Sequence, residues 1–190
     1  MTASRAGAAL RLREARLSDA AEIARVMRAS IRRLARGAYT SRQIAAWSSL
    51  PALYHAWAMT AGGEEYIVAE EDGTIVGYAA RRRGELTAVF VAPSQARSGI
   101  GTRLLRRVED EARRKGVRSL VVRAALGAVP FYETMGYRGS RRTRVPLPGR
   151  AFLTAVTMRK TVSRSAPPPR PRARRPAIDA ETRSDGIWRR

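Results

Sequence analysis

Gly84-Glu85-Leu86-Thr87-Ala88-Val89-Phe90-Val91-Ala92-Pro93-Ser94-Gln95-Ala96-Arg97-Ser98-Gly99-Ile100-Gly101-Thr102-Arg103-Leu104-Leu105, continuing to Lys115-Gly116, holds a strand, a glycine turn and a helix start in succession. The β-type run Leu86 to Val91 stops at Pro93, which cannot donate to a sheet ladder. The loop ends in Gly99 and Gly101. Ile100, Leu104, Leu105, Val108 and Ala112 then recur on one helical face, with Arg103, Arg106, Arg107, Arg113 and Arg114 opposite. Such a turn favours anions, because glycine admits close approach and the first helical N–H groups lack partners. It fits equally an ordinary strand-loop-helix crossover with glycines for tight packing. The loop lacks the Lys-Ser/Thr of a P-loop, and Leu104 stands where a dinucleotide fingerprint needs glycine. A kinase or dehydrogenase reading is therefore disfavoured.

On the N-terminal side, residues 1–9 are small and polar and are expected to be flexible. Leu10 to Ala15 alternates as a strand. Asp19 and Glu22 are spaced as a capping box, and Ile23, Val26, Met27, Ser30, Ile31 and Leu34 carry a helix of about four turns. Thr40 or Ser41 caps a second helix that reaches Trp47, and Pro51 starts a third helical piece with Tyr54, His55 and Trp57. Glu65–Glu70 and Thr74–Ala80 read as strands joined by the hairpin dipeptide Asp72-Gly73.

On the C-terminal side, a strand around Leu120-Val121-Val122 is followed by a short helix from Ala128 to Met135, closed by Gly136. Two more strands flank a turn at Pro146 to Gly149. Hairpins followed by alternating strands and helices predict an α+β fold, a mixed sheet covered by helices. The folded domain is expected over residues 10–161. From residue 162 the chain becomes an Arg/Pro-rich tail, with eight arginines against three acids in 161–190, and is read as disordered.

The 190 residues suffice for one domain with a real core. There is no cysteine, which excludes disulfides, thiolate metal sites and thiol nucleophiles. The single histidine, His55, disfavours a His-rich metal site or a Ser-His-Asp triad, and no metal is expected. No apolar run approaches the roughly 20 residues of a membrane helix, so no membrane partner is expected and a cytoplasmic protein is. The net charge of +21 comes from 37 Lys+Arg against 16 Asp+Glu, almost all of the excess arginine. It has two readings: attraction to polyanions, nucleic acid among them, or the compositional bias of an Arg- and Ala-rich genome.

The second chemistry-bearing stretch is Ala128-Val129-Pro130-Phe131-Tyr132-Glu133-Thr134-Met135-Gly136-Tyr137. Phe131 and Tyr132 lie about 100° apart on the helix, so one of them can face a cleft. There a tyrosine hydroxyl can donate a proton, unless its ring simply packs.

Val-Phe-Val-Ala-Pro with the Gly-Ile-Gly turn, and the Phe-Tyr helix about thirty residues on, together resemble the GNAT superfamily of acetyl-CoA-dependent N-acetyltransferases, and the stretch Tyr39 to Trp47 resembles one of a small bacterial subgroup. The resemblance spans about residues 10–160 in the family's element order. It implies a mostly antiparallel sheet of six to seven strands with about four helices, splayed into a V at the strand 86–91. It implies that the pantetheine arm of acetyl-CoA lies along Val89, Phe90 and Val91. The pyrophosphate would sit on Arg97, Ser98, Gly99, Ile100, Gly101 and Thr102, and Tyr132 would protonate the departing CoA thiolate. Two departures stand out. Ala96 occupies the place of a usual Gln or Arg, and Gly127 that of a frequent Asn. Pyrophosphate binding would then rest mainly on backbone groups.

Amine attack needs a proton acceptor. Glu85 is the obvious carboxylate, and Glu85, Thr87, Val89 and Val91 are expected on one strand face. A solvated strand-end role is the alternative for Glu85, and Thr87 or His55 are other candidates for the base. For the acceptor side, Tyr39, Gln43, Trp47, Tyr54 and Trp57 are available, with Tyr39 and Trp47 the chosen pair. An aromatic-lined cleft suits a small amine with an apolar or aromatic body. The leading reading is acetyl transfer to a small-molecule amine, by an enzyme for which homodimers are common in the family. The competitors are a macromolecular amine, on tRNA or protein, and a non-catalytic module that binds CoA or polyanions.

Overall fold

The computed structural model describes residues 9–162. The expectations for the N-terminal residues and for the Arg/Pro-rich tail concern residues 1–8 and 163–190, outside that range. Seven strands form one sheet in the order β1-β2-β3-β4-β5-β7-β6. They are β1 (Arg11–Glu14), β2 (Glu65–Glu71), β3 (Thr74–Arg82), β4 (Glu85–Val91), β5 (Ser119–Ala125), β6 (Arg138–Leu147) and β7 (Ala151–Thr161). Only β4 and β5 pair in parallel. The α-helices are α1 (Ala20–Leu34), α2 (Ser41–Trp47), α3 (Ala52–Met59), α4 (Ile100–Arg114) and α5 (Val129–Thr134).

The α+β class and the mostly antiparallel sheet agree with the sequence reading, but the described residues hold five α-helices rather than about four. The break at Pro51 falls where the sequence puts it, with Pro51 as the extended N-cap of α3. Thr40 caps α2 as expected, in a reciprocal box with Gln43. Asp19 does not cap α1. Its carboxylate takes Arg13 at 2.7 Å and the Arg16 N–H at 2.7 Å, while Glu22 accepts from the Ile75 N–H at 3.0 Å. Asp19 thus closes the short turn Leu17–Asp19 and pairs with Arg13, while Glu22 serves a tertiary contact that the local spacing did not reveal.

The apolar stripes decide which face each helix covers. Ile100, Leu104, Leu105, Val108 and Ala112 of α4 are buried with Ile67, Leu86, Leu120 and Met158 on one face of the sheet. Ile23, Val26, Met27 and Ile31 of α1 pack with Val68, Ile75 and Tyr78 on the other. Gly77 makes the first contact possible, because a Cβ there would lie 3.1 Å from Leu104 Cδ1 and 3.2 Å from Ile100 Cγ2.

Two irregularities in β4 position the site. Ala80 pairs with Ala88 but Arg81 pairs with Leu86, so Thr87 is an extra residue, a β-bulge. The bulge resets the side-chain alternation: Leu86, Val89 and Val91 pack toward α4, and Ala88 and Phe90 toward α1. Leu86 and Val89, three residues apart, thus share a face. The expectation that Glu85, Thr87, Val89 and Val91 share one face fails at this point.

The second irregularity is a splay. β4 and β5 pair only at Glu85↔Val121 and Leu86↔Val122, although the strands run to Val91 and Ala125. Beyond Leu86, β3 holds β4 and β7 holds β5, and the two halves of the sheet diverge as a V.

Candidate active site

The V opens into a cleft of about 670 Å³. Its floor is β4 from Thr87 to Val91 and β5 from Val122 to Ala125. Ser30, Ile31 and Leu34 of α1 form one wall, and Gly127, Phe131 and Tyr132 another. The Ala92 N–H bonds to Val76 O at 2.8 Å, so the antiparallel alternation turns the main-chain groups of Phe90 and Ala88 toward β3. Those of Val89 and Val91 then point into the gap that β5 has left. A slot with unpaired strand-edge groups accepts an extended amide-bearing chain by β-type hydrogen bonds.

At the wide end of the V stands the turn before α4. Arg97 and Gly99 both have positive φ, 65° and 83°. They curl the backbone so that residues 97–102 surround the helix start, where the first intrahelical bond runs from the Arg103 N–H to Gly99 O. Ile100, Gly101 and Thr102 therefore keep N–H groups free of helical partners, with the positive end of the helix dipole behind them. Arg97, Gly99, Gly101 and Thr102 line the cleft. Ser98 and Ile100 do not. The Ser98 hydroxyl donates to Gln95 O at 2.7 Å, and the Ile100 side chain is core, so only their main-chain groups are available. Gln95 donates to Glu71 at 2.7 Å, which fixes the loop to β2 and leaves Gln95 no replacement for the polar side chain missing at Ala96. Gly101 brings three elements together. A Cβ there would touch the Phe131 ring at 3.6 Å and Val91 Cγ2 at 3.7 Å. A polyanion with a flexible amide arm matches this donor set: backbone N–H groups and a helix N-terminus at one end, a strand edge at the other.

Tyr132 comes from α5, whose six residues begin with Pro130 in the first turn and end where Gly136, at φ 86°, reverses the chain. Its ring packs edge-on against Phe131 and Tyr137, at 5.1 and 5.5 Å between centroids. It is buried yet lines the cleft, and burial pushes its hydroxyl above the usual tyrosine range. The hydroxyl is therefore protonated at neutral pH, as a donor must be.

Glu85 sits elsewhere. It is ion-paired with Arg123 and lines a second cavity of about 910 Å³, with Gly62, Gly63, Arg82, Arg83 and Thr157 around it. Arg123 is the one residue that lines both cavities. Thr87 lines the cleft, and its hydroxyl donates to Glu64 at 2.8 Å. His55 is remote. It is buried against Tyr66 at 3.2 Å, and burial alone lowers its pKa to about 4.

Tyr39 and Trp47 both line the cleft, stacked edge-on at 5.9 Å, with Trp47 6.0 Å from Phe90. The Tyr39 hydroxyl is engaged on both sides. It donates to Thr154 O at 2.7 Å and accepts from the Leu126 N–H at 2.9 Å, which leaves the ring as its contribution to the cleft. Gln43 donates to Phe152 O, and Tyr54 and Trp57 lie on the exposed side of α3, outside the cleft lining. Sequence reasoning missed Ser30 and Arg123. Ser30 had a signal, a polar residue on the buried stripe of α1. Arg123 had none, because its partner is 38 residues away.

Among the described residues, no helix is long and apolar enough to cross a membrane. Residues 35–162 match the model of the acetyltransferase (GNAT) domain family. The chain is similar to the GCN5-related N-acetyltransferase "Aminotransferase, Class-II" from Rhodopseudomonas palustris, with 28% identity and a TM-score of 0.75 over 83% of this chain and 99% of that one. The fold is shared with the PaiA N-acetyltransferase of Thermoplasma acidophilum, solved with coenzyme A, at 20% identity and a TM-score of 0.65 over 80% and 99% of the two chains. An "IAA acetyltransferase" of Azospirillum brasilense is 37% identical over 81 residues, 38% of this chain and 53% of that relative, so the match spans about half the relative's length. The chain belongs to the GNAT acetyltransferase family, an N-acetyltransferase class that draws its acetyl group from acetyl-CoA.

Proposed function

We propose that this protein transfers the acetyl group of acetyl-CoA directly to a primary amine of a small molecule. The observation that carries this reading is the joining of three features in one cleft: a strand edge left bare by the splay, a turn of free N–H groups, and the Tyr132 hydroxyl.

Acetyl-CoA supplies the acetyl group as a thioester. Residues 97–102 bind the phosphates through main-chain N–H groups, with Arg97 adding charge. Val89 and Val91 hold the arm through their outward main-chain groups, and Phe90 forms the wall behind it. Tyr132 gives its proton to the sulfur as the C–S bond breaks and the C–N bond forms. Glu85 takes the proton that the ammonium must lose before attack, on an amine entering from the side of the second cavity. Tyr39, Trp47 and Phe90 form an apolar wall of the cleft, which suits an acceptor with an apolar or aromatic body.

A macromolecular amine is the alternative that the arginine-rich surface favours. Its mark is salt. Activity that falls steeply with ionic strength points to a polyanionic acceptor, and a flat profile points to a small one. The reading itself is tested by the release of free thiol from acetyl-CoA across a panel of amines. Release with at least one amine is expected. Binding of acetyl-CoA without turnover over a broad panel would leave a non-catalytic module instead.

A further inference from the structure

The second cavity lies outside the cleft assigned above to acetyl-CoA, and its lining differs from that of the cleft. Its charged residues are Arg82, Arg83, Arg123 and Glu85, three guanidiniums against one carboxylate. It meets the cleft at Arg123. The volume, about 910 Å³, is that of a small-molecule site. The β3–β4 turn, with Arg83 at φ 54°, and the Gly62-Gly63 segment both line it. Its position follows from the sheet. Glu85 and Leu86 are the only residues of β4 that pair with β5, so the cavity abuts the closed end of the V.

The Glu85–Arg123 pair is a fixed carboxylate beside a fixed guanidinium at that junction. Their side chains remain 31% and 47% exposed. A pair this open contributes only about 0–1 kcal/mol, so either partner can be traded for a charged ligand group at little cost. A molecule that carries an ammonium and a carboxylate a few ångströms apart is the complement of such a pair. The carboxylate replaces Glu85 on the planar, bidentate Arg123 fork, with Arg82 and Arg83 supplying further positive field. The released Glu85 then faces the ammonium. An amine without a carboxylate leaves Glu85 engaged in its ion pair with Arg123.

We propose, resting on the acetyltransferase reading, that the acceptor is an amine bearing a carboxylate, of the α-amino-acid type, and that its carboxylate docks on Arg123 and frees Glu85 to act. The balance is simple. The ammonium loses two protons as it becomes the amide N–H, one to Glu85 and one to solvent; the leaving sulfur receives its proton from Tyr132, and the proton held by Glu85 is returned through water to reprotonate Tyr132. One proton is released to solution per turnover.

The test compares phenylalanine, phenylalaninamide and phenethylamine, which share an aromatic body and differ at the carboxylate, by thiol release from acetyl-CoA. The expected result is kcat/KM at least about 10-fold higher for phenylalanine, a preference that Arg123→Gln reduces to near unity mainly by raising KM. Arg82→Gln, at an exposed site, should weaken the preference less. Should Arg123→Gln fail to fold, the wild-type ratio and Arg82→Gln still decide. Equal or better turnover of the two amines without a carboxylate overturns this proposal alone. Acetyl-CoA binding with no thiol release from any of the three, nor from a wider amine panel, overturns the transferase reading beneath it.

Discussion

Leu86 and Val122 are the last residues at which β4 and β5 pair, and the candidate site lies beyond or beside that contact. Toward Val91 the strands part and expose the main-chain groups of Val89 and Val91. Behind it, Glu85 and Arg123 guard the second cavity. The bulge at Thr87 comes one residue after the contact. It releases β4 from β5 while β3 keeps hold of it, so the slot is opened without breaking the sheet.

The two cleft tyrosines have hydroxyls in opposite circumstances, and substitution separates them. Tyr39→Phe removes the bridge between Thr154 O and the Leu126 N–H. It should lower stability by about 1–3 kcal/mol in urea unfolding, the cost of leaving buried polar groups unpaired. Its effect on turnover should be much smaller than that of the same change at Tyr132.

Gly101→Val should affect the cofactor more than the fold. A Cβ there is already in contact with Phe131 and Val91, and the branches of valine have only the cleft to enter. Calorimetry should show acetyl-CoA affinity reduced at least about 10-fold, equivalent to about 1.4 kcal/mol. Unchanged affinity would mean that the ligand does not lie against the start of α4.

His55 predicts a pH dependence of stability. Burial lowers its pKa from 6.5 to about 4, so the folded protein binds its proton later than the unfolded chain does. The sign follows from linkage: stability from this group is complete above pH 6.5 and is lost as pH falls from 6.5 toward 4, on the order of 3 kcal/mol in all. Between pH 7 and 4.5, His55→Phe should therefore lose less unfolding free energy than the wild type.

Leu104, fully buried between α4 and the sheet, tests the core that fixes the turn. Leu104→Ala should cost about 2–5 kcal/mol by chemical unfolding. Any loss of acetyl-CoA binding should follow the loss of folded protein.

Much of this was legible in the sequence because the signals were local. The apolar stripe of α4, the glycines of its turn, the Asp72-Gly73 hairpin and the Thr40 cap each declare themselves within a few residues. What was not legible depended on distant partners. Thr87 carries no mark of a bulge, since neither glycine nor proline stands beside it, and the bulge is what separates Glu85 from the face of Val89 and Val91. Asp19 and Glu22 match a capping box, yet Asp19 binds Arg13 and the Arg16 N–H of the preceding turn, and Glu22 the distant Ile75 N–H. Tyr39 reads as a cleft aromatic, but that its hydroxyl is engaged by residues 87 and 115 positions away is a property of the folded chain only.

The central claim is that Tyr132 donates the proton to the departing sulfur within the splayed slot, and the most direct measurement is acetyl-CoA thiol release by Tyr132→Phe beside wild type on a turned-over amine. The ring contacts with Phe131 and Tyr137 survive that change, so fold and acetyl-CoA affinity should hold while kcat falls by about 10²-fold or more. A Phe variant that turns over at the wild-type rate would contradict the account.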